Sequence, residues 1–177
     1  MTDLIILATL VPGPKHGYQL KREAGFILGQ DVIHNNLVYP LLRRFSQKGW
    51  VTKKTVPGER GQKRHQYAIT PLGRKTLIER LSEYTDSDAK SPEGFLTRVG
   101  LFPLLDPAVR QKVLEGRAAQ LQKTADHLIT VQEHFSLDPY GRETTQFLYK
   151  QIRAELKWIQ HLRKISKLQP KGRGLCS

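Results

Sequence analysis

The alternation of apolar and polar residues between His34 and Trp50 predicts an amphipathic helix of about four turns. Its apolar stripe contains Val38, Leu41, Leu42 and Phe45. Its polar row steps by about four residues and contains Asn35, Tyr39, Arg43 and Gln47. Asn35 or Asn36 can cap the first turn, and Gly49 supplies the left-handed residue that commonly ends a helix. One side of this helix is therefore expected to pack, and the other to be exposed.

Two further helices are predicted before this one. The dense apolar run from Leu4 to Val11 is typical of a short buried helix that ends at the breakers in residues 12–14. A second helix is predicted from His16 to about Leu28. The order helix, helix, turn, helix is the layout of a helix-turn-helix unit, whose last helix enters the major groove of DNA.

The segment after the third helix predicts a β-hairpin. Residues 50–56 and 64–70 are rich in β-branched and aromatic residues, and a Pro/Gly-rich turn at residues 57–61 separates them. The turn and its flanks carry five cations, namely Lys53, Lys54, Arg60, Lys63 and Arg64. We interpret the hairpin as the wing of a winged helix, which grips phosphate or reaches a minor groove. A solvated surface hairpin is the alternative.

The rest of the chain predicts a second, helical region. Thr70-Pro71 provides a cap and a first-turn proline for a helix that runs to about Tyr84, and the polar residues 85–92 are interpreted as a linker. The apolar residues 95–105 are expected to pack. The sequence thus predicts a winged helix-turn-helix domain at 1–84, a helical dimerisation or effector domain at 93–168 and a basic flexible tail at 169–177, in a mainly α fold with a small β-hairpin.

Two long helices are predicted in this second region. The first begins at Asp106-Pro107 and has a heptad pattern; Asp138-Pro139 and Gly141 then interrupt the chain, and the last helix runs from about Arg142 to Leu168. We expect the two helices to pair with each other and with a second copy of the chain. The residues predicted to dimerise are Leu114, Leu121, Leu128, Leu148, Ile152, Leu156, Ile159 and Leu162. A self-contained helical hairpin in a monomer is the alternative.

Charge favours an anionic partner. The formal net charge is +13 and the pI about 10.0. Residues 34–75 contain ten Lys or Arg and a single acid, Glu59, a local charge of +9 that is typical of a nucleic-acid-binding surface. Amide, phenol and guanidinium groups suit base edges and phosphate oxygens. An ordinary amphipathic helix with a solvated polar face is the alternative for the helix alone.

The sequence offers little support for catalysis, a cofactor or a metal. It has no Gly-rich phosphate loop and no serine nucleophile motif, and His127 and His134 are about 10.5 Å apart along a helix, too far to share one ion. The single cysteine, Cys176, excludes an intrachain disulfide and fits a reducing cytosol. The apolar run at residues 4–11 is too short to span a bilayer. We therefore expect a cytoplasmic protein that is not an enzyme.

Three ordered motifs resemble the signatures of PadR-type transcriptional regulators. They are GPKHGYQL at residues 13–20, LVYPLLRRF at residues 37–45 and GQKRHQYAIT at residues 61–70. The resemblance covers roughly the first 84 residues. It implies a winged-helix repressor that dimerises through C-terminal helices and often responds to a small, frequently aromatic molecule. It also implies that Tyr39, Arg43, Lys63 and Arg64 face DNA.

Together these features predict a sequence-specific regulator of transcription, a homodimeric repressor whose affinity for a palindromic double-stranded operator is tuned by a small effector. The residues expected to contact DNA are Asn35, Asn36, Tyr39, Arg43, Arg44, Lys53, Lys63 and Arg64. Tyr149 and Trp158 are candidates for an effector pocket between subunits, with interface anchoring as their alternative. A rival hypothesis is an RNA-binding or architectural protein that uses the same fold without reading sequence.

Overall fold

The computed structural model describes residues 1–27, 35–57 and 63–168. These residues form eight α-helices and three strands, so the predicted fold class, mainly helical with a small antiparallel sheet, is confirmed. The described part of the chain divides into two compact units. The first contains residues 1–83 with residues 96–105, and the second contains residues 84–95 with residues 106–168.

Three helices open the first unit: α1 (Thr2–Thr9), α2 (Gly17–Ile27) and α3 (Asn35–Gln47). α1 is apolar from Leu4 to Ala8, and its residues from Leu4 onwards are buried. α3 buries three of the four predicted stripe residues, with Val38, Leu42 and Phe45 at most 1% exposed, and Leu41 is partly buried. The predicted end of α3 is also confirmed, because Gly49 has a φ of 70°, a conformation that glycine adopts without strain.

A three-stranded antiparallel sheet follows, formed by β1 (Lys15–His16), β2 (Val51–Pro57) and β3 (Lys63–Ile69) in the order β1-β3-β2. β2 and β3 form the predicted hairpin, with Val51 opposite Ile69 and Pro57 opposite Lys63. β1 was not predicted. The sequence places His16 at the start of a helix, whereas in the structure Lys15 and His16 pair with β3 and α2 begins at Gly17.

The next helix, α4 (Pro71–Ser82), begins as predicted. The Oγ1 atom of Thr70 accepts a hydrogen bond from the Gly73 amide at 3.0 Å and donates one to the Gly49 carbonyl at 2.7 Å. The same hydroxyl therefore caps α4 and attaches its start to the end of α3. Since the Thr70 amide also donates to the Trp50 carbonyl at 2.9 Å, the base of the hairpin is fixed to α4.

The segment that the sequence suggests as a linker contains a helix, α5 (Asp86–Lys90). Polar composition alone favours a loop, but Thr85 and Asp88 form a capping box in which each side chain binds the backbone amide of the other. α6 (Pro92–Gly100) and a 3₁₀ turn (Phe102–Leu104) follow. Residues 96–105 group with the first unit rather than with the long helices, so the observed units differ from the predicted boundaries in this segment.

The second unit is built around α7 (Pro107–His134) and α8 (Pro139–Leu168), which pack against each other. α8 begins earlier than the predicted Arg142, because the Oδ1 atom of Asp138 accepts hydrogen bonds from the amides of Tyr140 and Gly141 and so caps its first turn. Within the described ranges, no helix has both the length and the apolar character that crossing a bilayer requires.

A buried arginine connects three helices of the second unit. Arg117, on α7, is 4% exposed and donates two hydrogen bonds to the Glu155 carboxylate on α8, at 2.8 and 3.0 Å. It donates a third to the carbonyl of Ala89 on α5 at 2.8 Å, and its guanidinium carbon lies 5.6 Å from the centre of the Phe95 ring. The paired geometry satisfies a charge that would be costly to bury alone.

Candidate nucleic-acid interface

The outward side of α3 exposes the polar row that the sequence predicts. Tyr39, Arg43 and Gln47 of this row are exposed, and Tyr39 retains 44% of its accessible surface; Asn36, next to the row, is exposed as well. Arg44 is exposed beside them. α3 contains no Asp or Glu. The side chain of Asn35, the first residue of α3, lies outside the described residues. The exposed surface of α3 therefore presents amide, phenol and guanidinium groups without a competing carboxylate.

Trp50 fixes the end of α3 against the hairpin. Its ring centre lies 5.7 Å from that of Phe45, and its amide donates to the Phe45 carbonyl at 2.9 Å. The Nζ atom of Lys48 lies 4.7 Å from the centre of the Trp50 ring, within the range of a cation–π interaction. Trp50 therefore packs where α3 meets the hairpin, and it sets the position of α3 relative to β2.

The two strands of the wing also expose cations. Lys53 and Lys54 are exposed on β2, and Lys63 and Arg64 are exposed on β3. The turn between the strands, including Arg60, lies outside the described residues. The wing and α3 belong to the same compact unit, and together they form the candidate interface with nucleic acid.

A cleft of about 590 Å³ lies between the start of α2, the middle of α3 and β3. Its lining residues are His16, Gly17, Tyr18, Gln19, Arg22, Tyr39, Arg64, His65 and Tyr67. The phenol of Tyr39 lies directly over Gly17, where a Cβ atom would be 2.9 Å from both Cε1 and the hydroxyl oxygen of Tyr39. The sequence predicts roles for Tyr39 and Arg64 but not for their neighbours in the cleft, because β1, which brings α2 to the wing, is too short to leave a pattern.

Tyr67 is a buried residue of this cleft, at 6% exposure. Burial raises the pKa of the Tyr67 phenol above its ordinary value, and the nearby phenol of Tyr39 raises this pKa further. Tyr67 therefore keeps its proton at neutral pH and can donate a hydrogen bond. On the edge of β1, the Nδ1 atom of His16 lies 3.2 Å from the His65 carbonyl oxygen, which fixes the imidazole against β3.

The residues predicted to dimerise fall into three groups by their exposure. Leu114, Leu121 and Ile159 are at most 6% exposed in the single chain, where α7 and α8 already cover them. Leu148 is 41% exposed. The remaining four are partly buried, namely Leu128, Ile152, Leu156 and Leu162. The single chain therefore buries only part of the predicted set, and the contact with a second copy stays a prediction.

The two aromatic residues considered for an effector pocket do not meet in one chain. Trp158 packs edge-on against Phe95, with ring centres 6.0 Å apart and planes at 84°. Tyr149 is nine residues earlier on α8, about two and a half turns, so the two rings leave the helix on opposite sides. His127 and His134 are both exposed on α7, and no group of three metal-ligating side chains occurs among the residues that the structure describes.

A helix-turn-helix with a three-stranded sheet and an exposed, basic third helix defines a winged-helix DNA-binding protein. Residues 6–79 match the model of the Transcriptional regulator PadR-like family. A transcriptional regulator from Thermoplasma acidophilum is 34% identical over 43% of this chain and 72% of that chain, with a TM-score of 0.40. The chain belongs to the PadR-like family of transcriptional regulators.

Two further solved proteins match at lower identity. A transcriptional regulator from Clostridium thermocellum is 28% identical over 44% of this chain and 76% of that chain, with a TM-score of 0.40. Bacillus subtilis PadR in complex with operator DNA is 17% identical over 93% of this chain and 98% of that chain, with a TM-score of 0.44. The same protein has a structure in complex with p-coumaric acid. No curated protein matches the chain.

Proposed function

We propose that this chain is a homodimeric transcriptional repressor that binds a palindromic operator through α3. The observation that carries this proposal is the exposed, acid-free row on α3 beside the exposed cations of the wing. Such a row matches the donors and acceptors of the major groove, while the wing cations match the backbone on either side.

The chemistry of each side chain suggests its role. Arg43 is suited to a bidentate contact with guanine, and Asn35 or Asn36 to adenine. Tyr39 and Arg44 would contact bases or phosphate. The wing cations would bind phosphate without reading sequence, namely Lys53, Lys63 and Arg64. α3 therefore supplies specificity, and the wing supplies affinity that depends on salt.

An exposed aromatic stripe on α8 supports the dimer. Tyr140, Phe147 and Trp158 are 86%, 59% and 36% exposed. Their spacings of seven and eleven residues are close to two and three helical turns, so all three rings lie on one side of α8. Large apolar side chains grouped on an open surface are typical of an interaction site. A two-fold dimer can present two α3 helices to a palindrome, whose half-sites lie about 34 Å apart, one turn of DNA.

The proposed repressor responds to a small aromatic effector at its C-terminal helices. Membership of the PadR-like family and the exposed aromatic rings of α8 support this part. Tyr149 and Trp158 remain the candidate residues; because they point to opposite sides of α8, a pocket that contains both has to include a second chain. Calorimetric titration with a panel of aromatic carboxylic acids tests whether the protein binds such an effector. A second measurement then tests whether each compound that binds releases the protein from DNA.

Selection of bound sequences from random duplexes tests the DNA-reading function. We expect a palindromic consensus with half-sites one helical turn apart, and sedimentation of the purified chain as a dimer. Arg43→Ala should cost about 1 to 3 kcal/mol and relax the preference at one base pair per half-site. Lys63→Ala should weaken binding to all sequences equally and reduce the salt slope by about 1.

Two results would contradict the proposal. If both variants lower binding uniformly for every duplex, α3 does not read bases. If the wild-type protein binds scrambled duplexes or RNA as tightly as any selected sequence, it does not read sequence. It would then be an architectural or RNA-binding member of the winged-helix class, whose affinity is electrostatic and depends on salt.

A further inference from the structure

We propose that the cleft between α2, α3 and β3 holds one backbone phosphate of the bound DNA. This inference rests on the proposed function, because its ligand belongs to the duplex that α3 would read. It assigns a binding role to residues outside the predicted interface, namely His16, Tyr18, Arg22, His65 and Tyr67.

The lining of the cleft has the chemistry of a phosphate site. The nine described residues that line it include two guanidinium groups, three phenols and two imidazoles, and none of these nine is acidic. The acid of α2 beyond its edge, Glu23, is already engaged, with its Oε1 atom 2.7 Å from Nζ of Lys15. Phosphate oxygens accept several hydrogen bonds at once and favour arginine as a partner, so this set of donors suits phosphate better than a neutral ligand.

Tyr67 provides a donor in the lining of the cleft, although the residue is only 6% exposed. A neutral phenol can donate one hydrogen bond. An anionic oxygen that entered the cleft would accept this hydrogen bond, and the positive groups of Arg22 and Arg64 line the same cleft.

The position of the cleft favours the DNA backbone as the source of the phosphate. One wall carries Tyr39, which belongs to the outward row of α3, and another carries Arg64, which belongs to the wing. A strand that passes from α3 in the major groove to the wing would cross the opening between these two residues. A free phosphate ion or phosphorylated metabolite has the same chemistry, so the experiment has to separate the two sources.

A methylphosphonate scan of the selected operator tests the proposal. Each phosphate in turn is replaced by a neutral methylphosphonate, and binding is measured for the wild type, Arg22→Gln, Tyr67→Phe and the control Lys112→Gln. Lys112 is an exposed cation of α7 in the second unit, so its variant loses the same charge as Arg22→Gln. Thermal melting verifies that each variant folds.

We expect the wild type and the control to lose about tenfold in affinity when one particular phosphate in each half-site is neutralised. Arg22→Gln and Tyr67→Phe should bind the unmodified operator several-fold more weakly than the wild type does. Neutralising that particular phosphate should then lower the affinity of these two variants only slightly further. On a random duplex, Arg22→Gln should flatten the salt slope by about 0.9 relative to the wild type.

Equal sensitivity of wild type and both cleft variants to every methylphosphonate would overturn the proposal. Inorganic phosphate is titrated at constant ionic strength as a second test. If it binds saturably and leaves the methylphosphonate scan unchanged, the ligand of the cleft is a free anion and the proposal is overturned. Failure of the proposed function gives a different result, because the wild type would then select no sequence from random duplexes. In that case the salt slopes of the wild type and Arg22→Gln on random duplexes still test whether the cleft binds phosphate.

Discussion

Replacing Gly17 with alanine should move Tyr39 and weaken DNA binding without unfolding the protein. The added methyl group would lie 2.9 Å from Cε1 and the hydroxyl oxygen of Tyr39, and 3.3 Å from Cζ. Ordinary contacts between such atoms are about 3.5 to 4.0 Å. The ring therefore has to move by roughly 0.5 to 1 Å, and it moves outward because its other side is exposed.

The effect on stability should be small, since two terms oppose each other. Alanine in a helix is favoured over glycine by up to about 1 kcal/mol, and forcing an extra methyl group into a packed site costs about 1 to 3 kcal/mol. Tyr39 is 44% exposed and can rotate away, so the cost lies at the lower end. We expect the free energy of unfolding to change by about 1 kcal/mol or less.

Binding to the selected operator should fall by about tenfold, which corresponds to the loss of one good contact, about 1.4 kcal/mol. Gly100→Ala is the matched control, because a Cβ atom at Gly100 meets nothing within 4 Å. Fluorescence anisotropy with labelled operator measures the affinity, and a double-mutant cycle with Tyr39→Ala isolates the cause. The reasoning is refuted if Gly17→Ala lowers affinity by the same factor whether or not Tyr39 is present.

Two predictions concern stability, and urea unfolding measures both. Arg117→Met should destabilise the second unit by about 3 kcal/mol, because the Glu155 carboxylate, 27% exposed, would lose its partner; an unchanged midpoint would show that the buried pair contributes nothing. Burial raises the pKa of Asp3, but the hydrogen bond and charge of Arg80 at 2.7 Å outweigh it and leave the pKa of Asp3 below its ordinary value. An ionised carboxylate with a lowered pKa stabilises the fold above about pH 4, and this stabilisation is lost as the pH falls. Asp3→Asn should therefore lower the free energy of unfolding by about 1 kcal/mol at neutral pH. Near pH 2 the variant and the wild type should have the same free energy of unfolding. Curves that stay parallel throughout would contradict this account.

The elements that the sequence predicts correctly are those whose signal is local. α3 has a complete apolar stripe ending at Phe45, the hairpin is bounded by clear turn residues, and α4 begins at a threonine followed by proline. In each case the residues that form the element also determine its packing. The exposure of Tyr39 and Arg43 follows directly from this periodicity.

The cleft could not be predicted, because it depends on pairing between distant segments. Two residues, Lys15 and His16, are too few to show the alternation of a strand, and their partners in β3 are about fifty positions away. The proximity of Tyr39 and Tyr67 follows only once β3 lies between β1 and β2. Likewise, the apolar positions of α8 predict a seam, but not which of its side chains α7 covers.

β1 joins the start of α2 to the wing, since Lys15 and His16 pair with Tyr67 and Gln66. These two parts of the protein cannot separate without breaking the sheet, so the span between them is constant. The duplex therefore has to adjust its groove width to the protein. Sequences that bend easily, or whose grooves narrow easily, make this adjustment at a lower energetic cost. We accordingly expect operator choice to depend on DNA deformability, even at base pairs that no side chain touches.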